Sequence, residues 1–150
     1  MLFQPHLTPV EMLKRGVFGK NYFACATAED IRGMSPEVMG CSLDERHPFD
    51  KRWNDYGVKA GESYENWLAN GWIFPEDPLG WFHWYCRYHN GRRHLRDDHQ
   101  IRRWQRYGIR WGRFARTQLI TKGDASPVVK QGLLQWGYDP MKVLHDRDGV

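Results

Sequence analysis

Arginine is the residue type whose placement most suggests chemistry. Residues 79–116 hold ten Arg, no Lys and two acids, Asp97 and Asp98. That stretch is net +8 within a chain of net +4, so the other residues sum to −4. Guanidinium is planar, stacks on rings and grips phosphate or carboxylate with two parallel donors. Arg92, Arg93 and Arg96 crowd a connector between two predicted helices, and Arg103, Arg106 and Arg110 continue at helical spacing. Several cations at neighbouring phosphates release counterions and so drive polyanion binding. Trp111, beside Arg110, and Tyr107 are the rings best placed to stack on a base. The competing reading is a solvated face. Arg92 and Arg93 follow a helix C-terminus, where cations are favoured anyway, and Asp98 and Arg102 have i, i+4 ion-pair spacing.

A second constellation suits proton transfer. His83, Asp98 and His99 could act as acid and base on a small anionic substrate held by Arg87, Arg92 and Arg93. An imidazole titrating near pH ~6.5 beside a carboxylate is the usual pairing for such work. Against it, a helix start accounts for Asp97 as N-cap and for Asp98 as an acid favoured by the dipole. His83, His89, His94 and His99 lie near Cys86, but no two Cys have zinc-site spacing, so no metal is expected. The chain has no Walker-type loop, dinucleotide fingerprint or serine elbow, and no cofactor is expected.

These groups need elements to hold them. A chain of 150 residues has the length of one domain. Eight Trp, seven Tyr and seven Phe supply large buried area where aliphatic residues are few. Thr8, Pro9 and Glu11 form a capping box opening a helix from Pro9 to Arg15. Residues 35–61, rich in Gly, Pro and charge, read as a long irregular loop, followed by a helix from Glu62 to Ala69. Asp77 and Pro78 open the clearest helix, ending at Asn90 and Gly91. Trp81, Trp84, Tyr85 and Tyr88 make its buried stripe, with His83, Arg87 and Asn90 on the polar side. Asp97 as N-cap, with Gln100, starts a further helix that Gly108 ends or that runs irregularly through Trp111. Ser126 and Pro127 begin the last helix, closed at Gly137, and residues 138–150 read as a charged, loosely held tail. Valine and isoleucine are scarce, which opposes a large sheet. The expected fold is all-α or mainly α, a single domain of about five helices.

With those blocks identified, the chain resembles an uncharacterised family of small proteins from phages, bacteria and fungi. The likeness rests on Thr8-Pro9, Glu11-Met12-Leu13 and Gly16-Val17-Phe18-Gly19. Its strongest part is Gly71-Trp72-Ile73, Pro75-Glu76-Asp77-Pro78, Gly80-Trp81-Phe82, Trp84-Tyr85-Cys86-Arg87-Tyr88 and Gly91-Arg92-Arg93. Asp97-Asp98, Gln100-Ile101, Arg103-Trp104, Leu133-Leu134, Trp136 and Tyr138-Asp139 complete it. The resemblance implies no particular activity, cofactor or catalytic residue. A family seen in viruses and cells alike argues against a dedicated capsid part.

No apolar run approaches the ~20 residues of a membrane span, and the N-terminus has no secretory pattern. An odd number of Cys, namely Cys25, Cys41 and Cys86, suits free thiols in a reducing cytoplasm, whether the protein is host- or virus-encoded. Three functions follow as expectations. The first is a small intracellular module binding nucleic acid or phosphate through Arg92, Arg93, Arg96, Arg103, Arg106, Arg110 and Trp111. The second is a cofactor-independent enzyme acting on a small phosphorylated or otherwise anionic ligand. The third is an interaction protein whose arginines meet an acidic partner. Oligomeric state is open.

Overall fold

Among the described residues, short polar caps and glycines punctuate a mainly helical structure. The computed structural model describes residues 2–19, 50–60 and 64–145. Among these residues there are six α-helices, one 3-10 turn and no strand, so the domain is mainly α. In chain order they are α1 (Pro9–Lys14), the 3-10 turn (Lys51–Trp53), α2 (Tyr64–Ala69), α3 (Trp81–His89), α4 (Asp97–Lys122), α5 (Pro127–Leu134) and α6 (Pro140–His145). Most of the expected loop over 35–61, together with Cys25 and Cys41, lies outside the described residues. Cys86 is buried in the core.

The capping box opens α1 as expected: the Glu11 amide donates to the Thr8 hydroxyl and the Thr8 amide to the Glu11 carboxylate. Ser126 likewise caps α5 by accepting from the Val129 amide. Three boundaries differ from expectation. The central helix begins at Trp81, not Asp77, because residues 77–80 form a tight turn. In it the Gly80 amide donates to the Asp77 carbonyl, and the Asp77 carboxylate turns inward to two arginines.

The second difference is α4. It runs 26 residues, about 39 Å at 1.5 Å per residue, straight through Gly108, and stops at Gly123 in the left-handed region. Gly108 and Gly112 serve close packing instead of termination. A Cβ on Gly108 would lie 2.2 Å from the Tyr138 ring, and one on Gly112 3.4 Å from Val143. Asp97 is the first residue of this helix, not its cap. Its carboxylate accepts from the Trp84 indole at 2.8 Å and from the His94 amide at 2.8 Å.

The third difference is the supposed loose tail. It folds back as α6, with Tyr138, Pro140, Val143 and Leu144 buried against α4 and α5. Residues 146–150 lie outside the described part.

The core is a ring cluster around α3. Trp81, Trp84 and Tyr85 are buried as the helical stripe predicts, while Tyr88 is half-buried. His83, assigned by pattern to the polar side, is buried, its Nδ1 accepting from the Leu79 amide. Phe3 fills the centre, touching Trp81, Trp84, Tyr85, Tyr88 and Trp104 with centroid separations of 4.9 to 6.2 Å. The N-terminal segment is tied down beside it. The Tyr85 hydroxyl donates to the Leu7 carbonyl at 2.7 Å, and the Leu7 amide to the Gly137 carbonyl at 3.1 Å.

Candidate functional site

Residues from α4, from α5 and the turn after it, and from α2 through the start of α3, with Phe18 and Ala60, line a cleft of about 670 Å³. Ligand pockets commonly span roughly 300–1,000 Å³. Ring faces dominate the cleft. Trp81, Trp136, Tyr107 and Trp111 form a continuous series along one side, with centroid separations of 4.8, 4.8 and 5.9 Å. Tyr107 and Trp136 are stacked, only 19° from parallel. Trp67, Trp72 and Ile73 also line the cleft, and Trp72 is 40% exposed. Gly132 makes this geometry possible, since a Cβ there would sit 2.5 Å from the Tyr107 hydroxyl.

Three guanidiniums border the rings: Arg103, Arg106 and Arg110. Arg103 is half-buried, its Nη1 donating to the Trp72 carbonyl at 3.3 Å and to Gln100 Oε1 at 3.0 Å. Its carbon lies 5.5 Å from the Trp136 ring centroid. Among the described residues, no carboxylate pairs with it. Burial pulls its pKa below the ordinary guanidinium value, yet arginine keeps its charge in proteins. Burial also raises the pKa of the Tyr107 phenol, which stays a neutral hydroxyl.

A stripe of charge runs on from the cleft. Arg102, Arg106, Arg110 and Arg113 are exposed and fall within one arc of α4, since four residues make slightly more than one turn. The stripe spans about 17 Å at 1.5 Å per residue. Among the described residues, no ion pair neutralises any of these four, and none joins Asp98 to Arg102. Arg106 and Arg110 belong to both the stripe and the cleft.

The remaining arginines of the expected site are engaged in structure. Arg92 grips the buried Asp77 carboxylate with both terminal nitrogens at 2.8 Å, and Arg87 adds a third donor at 3.0 Å. Arg87 also donates to the Glu76 carbonyl. Asp77 is 1% exposed, so this pair of cations balances a carboxylate with almost no water. Arg93 lies over the Tyr88 ring at 3.7 Å and donates to the Tyr88 and Arg92 carbonyls, closing the end of α3. Arg96 covers Phe74 at 4.1 Å and approaches Glu76 at 3.6 Å.

The acid–base residues do not line the cleft. His83 is in the core, and Asp98 and His99 are exposed at the start of α4. The His99 ring packs edge-on against Phe74 at 5.3 Å. Although the residue is exposed overall, partial desolvation of the ring comes first in lowering its pKa, followed by Arg103, Arg96, Arg106 and Arg102. Among the described residues, no group of three His, Cys, Asp or Glu side chains gathers as a metal site. None of their helices is long and apolar enough to cross a membrane.

The expected phosphate-binding set is Arg92, Arg93, Arg96, Arg103, Arg106 and Arg110 with Trp111 or Tyr107; of these, Arg103, Arg106, Tyr107, Arg110 and Trp111 line the cleft, and Arg92, Arg93 and Arg96 do not. That set misses Trp72, Trp136 and Gly132, which lie about 30 residues away on either side. The chain matches no family model, no curated protein and no solved structure.

Proposed function

We propose that this protein binds nucleic acid, with the phosphate backbone running along α4. The observation that carries this is the exposed row of Arg102, Arg106, Arg110 and Arg113 on one helix face, unneutralised by any described acid. Arginines normally placed on a surface for solubility alternate with acids and pair at i, i+4. Four cations in a line match a partner whose anions are also in a line. Arg103 adds a fifth charge at the cleft edge, where burial weakens hydration and strengthens its attraction for an anion.

The small-substrate enzyme gains no support from the cleft, since His83, Arg87, Asp98 and His99 are outside its lining. The test is fluorescence anisotropy with labelled single- and double-stranded oligonucleotides at low salt, with polyglutamate as a competing polyanion. Binding to oligonucleotides, weakly displaced by polyglutamate, is the expected outcome. Absence of oligonucleotide binding would remove the proposal. Equal displacement by polyglutamate would shift the reading to an acidic protein partner.

A further inference from the structure

We infer that the cleft beside α4 receives one unstacked nucleobase, so that a strand on the arginine row turns a base into it; this rests on the nucleic-acid reading above. Two features restrict what can occupy the cleft. Its walls are ring faces, with Trp136, Tyr107 and Trp111 in series and Trp72 partly exposed. A bare phosphate would leave that surface in water. Its polar lining is three guanidiniums, Arg103, Arg106 and Arg110, with the Gln135 amide and the Tyr107 phenol; of these Arg103 is half-buried and Tyr107 lies between the rings. Arg103 uses only Nη1 for its two internal hydrogen bonds, among the described residues, and so has further N–H donors to offer. The Tyr107 hydroxyl has no hydrogen-bond partner among the described residues. A purely apolar ligand would bury the Tyr107 hydroxyl and the remaining Arg103 donors without partners, at a cost that disfavours it.

A planar heterocycle with edge acceptors satisfies both constraints. Its faces stack on Trp and Tyr, and its ring nitrogens or carbonyls accept from Arg103 and Tyr107. Arg106 and Arg110 then lie where the flanking phosphates emerge, because these two residues border the cleft and belong to the row. A duplex keeps its bases stacked and paired, and extruding one costs energy. The cleft should therefore favour single strands over duplexes.

The experiment compares a labelled single strand with an all-abasic strand of the same length and phosphate number, at one salt concentration. Stacking of one base predicts roughly ten-fold tighter binding of the intact strand. Trp72→Ala should reduce that preference, leave abasic binding unchanged and retain the native circular dichroism. Trp72 is already partly exposed, so its removal leaves the core intact. Adenosine monophosphate at saturation should remove the intact strand's advantage over the abasic one, because its base occupies the cleft. Equal binding of the two strands to the unmodified protein would overturn the inference while leaving the backbone reading in place. So would preservation of the preference in Trp72→Ala. If neither strand binds but the mononucleotide does, the cleft assignment stands, its source is a free nucleotide, and the backbone reading fails.

Discussion

Asp77→Ala removes the carboxylate that holds Arg87 and Arg92 together. The side chain is 1% exposed and accepts three guanidinium hydrogen bonds of 2.8 to 3.0 Å. Removing one partner of a buried pair costs about 3–5 kcal/mol, because the other charge is left without compensation. Here the two cations are each a little over a quarter exposed, so water recovers part of that loss and about 3 kcal/mol is expected. For a chain of this length that corresponds to a melting temperature lower by roughly 6–12 °C. The sharper reading comes from a cycle with Arg92→Ala in urea denaturation. Once Asp77 is gone, deleting Arg92 should cost much less than in the native background, with a coupling of about 1–3 kcal/mol. A near-zero coupling, or an Asp77→Ala midpoint within experimental error of the unmodified protein, would refute the clamp. It would also return Arg92 to the pool of cations free for a ligand.

Other expectations can be checked with the same protein. Phe3→Ala should destabilise by roughly 2–3 kcal/mol, below the full cost of an emptied ring site because Phe3 is half-buried; an unchanged denaturation midpoint would show that the N-terminal segment is not part of the core. Gly108→Ala should lower stability even though alanine gains about 1 kcal/mol of intrinsic helix preference, because its Cβ would meet the Tyr138 ring at 2.2 Å; a stabilised variant would mean that Tyr138 is not seated there. His99 should titrate by NMR below the ordinary histidine range, since burial and four arginines disfavour its cation. Because the folded-state value is lowered, its contribution is present above about pH 6.5 and is lost as pH falls from there through the folded value. Phosphates beside those arginines should raise the His99 pKa, so oligonucleotide binding should take up protons; a shift in the opposite sense would place the strand elsewhere.

Local chemistry made much of the scaffold legible. The Thr8 box, the Ser126 cap and the α3 ring stripe depend on residues three or four apart, and all appear where those spacings place them. Glycine was harder to interpret. At Gly123 it ends a helix through a positive φ, whereas at Gly108 it admits a ring arriving from 30 residues downstream. Nothing near residue 108 distinguishes the two uses. The same limit applies to Asp77, which looks like a helix opener next to Pro78 and is instead the acceptor for arginines 10 and 15 residues away. Charge density alone also overstated the site. Ten arginines crowd residues 79–116, but Arg87 and Arg92 neutralise a buried acid and Arg93 closes a helix end. The cleft is not legible in the sequence because its walls come from stretches scattered between Phe18 and Trp136.

The central claim is that phosphates follow the α4 arginines, and the salt dependence of binding tests it most directly. Each phosphate contact on a single strand contributes about −0.7 to the slope of log affinity against log salt. The four exposed arginines therefore predict a slope of roughly −3. Arg106→Ala with Arg110→Ala should make it shallower by about 1.4, while Arg92→Ala, measured where it is still folded, should leave it unchanged. A slope that stays the same without Arg106 and Arg110, or that falls with Arg92, would contradict the account.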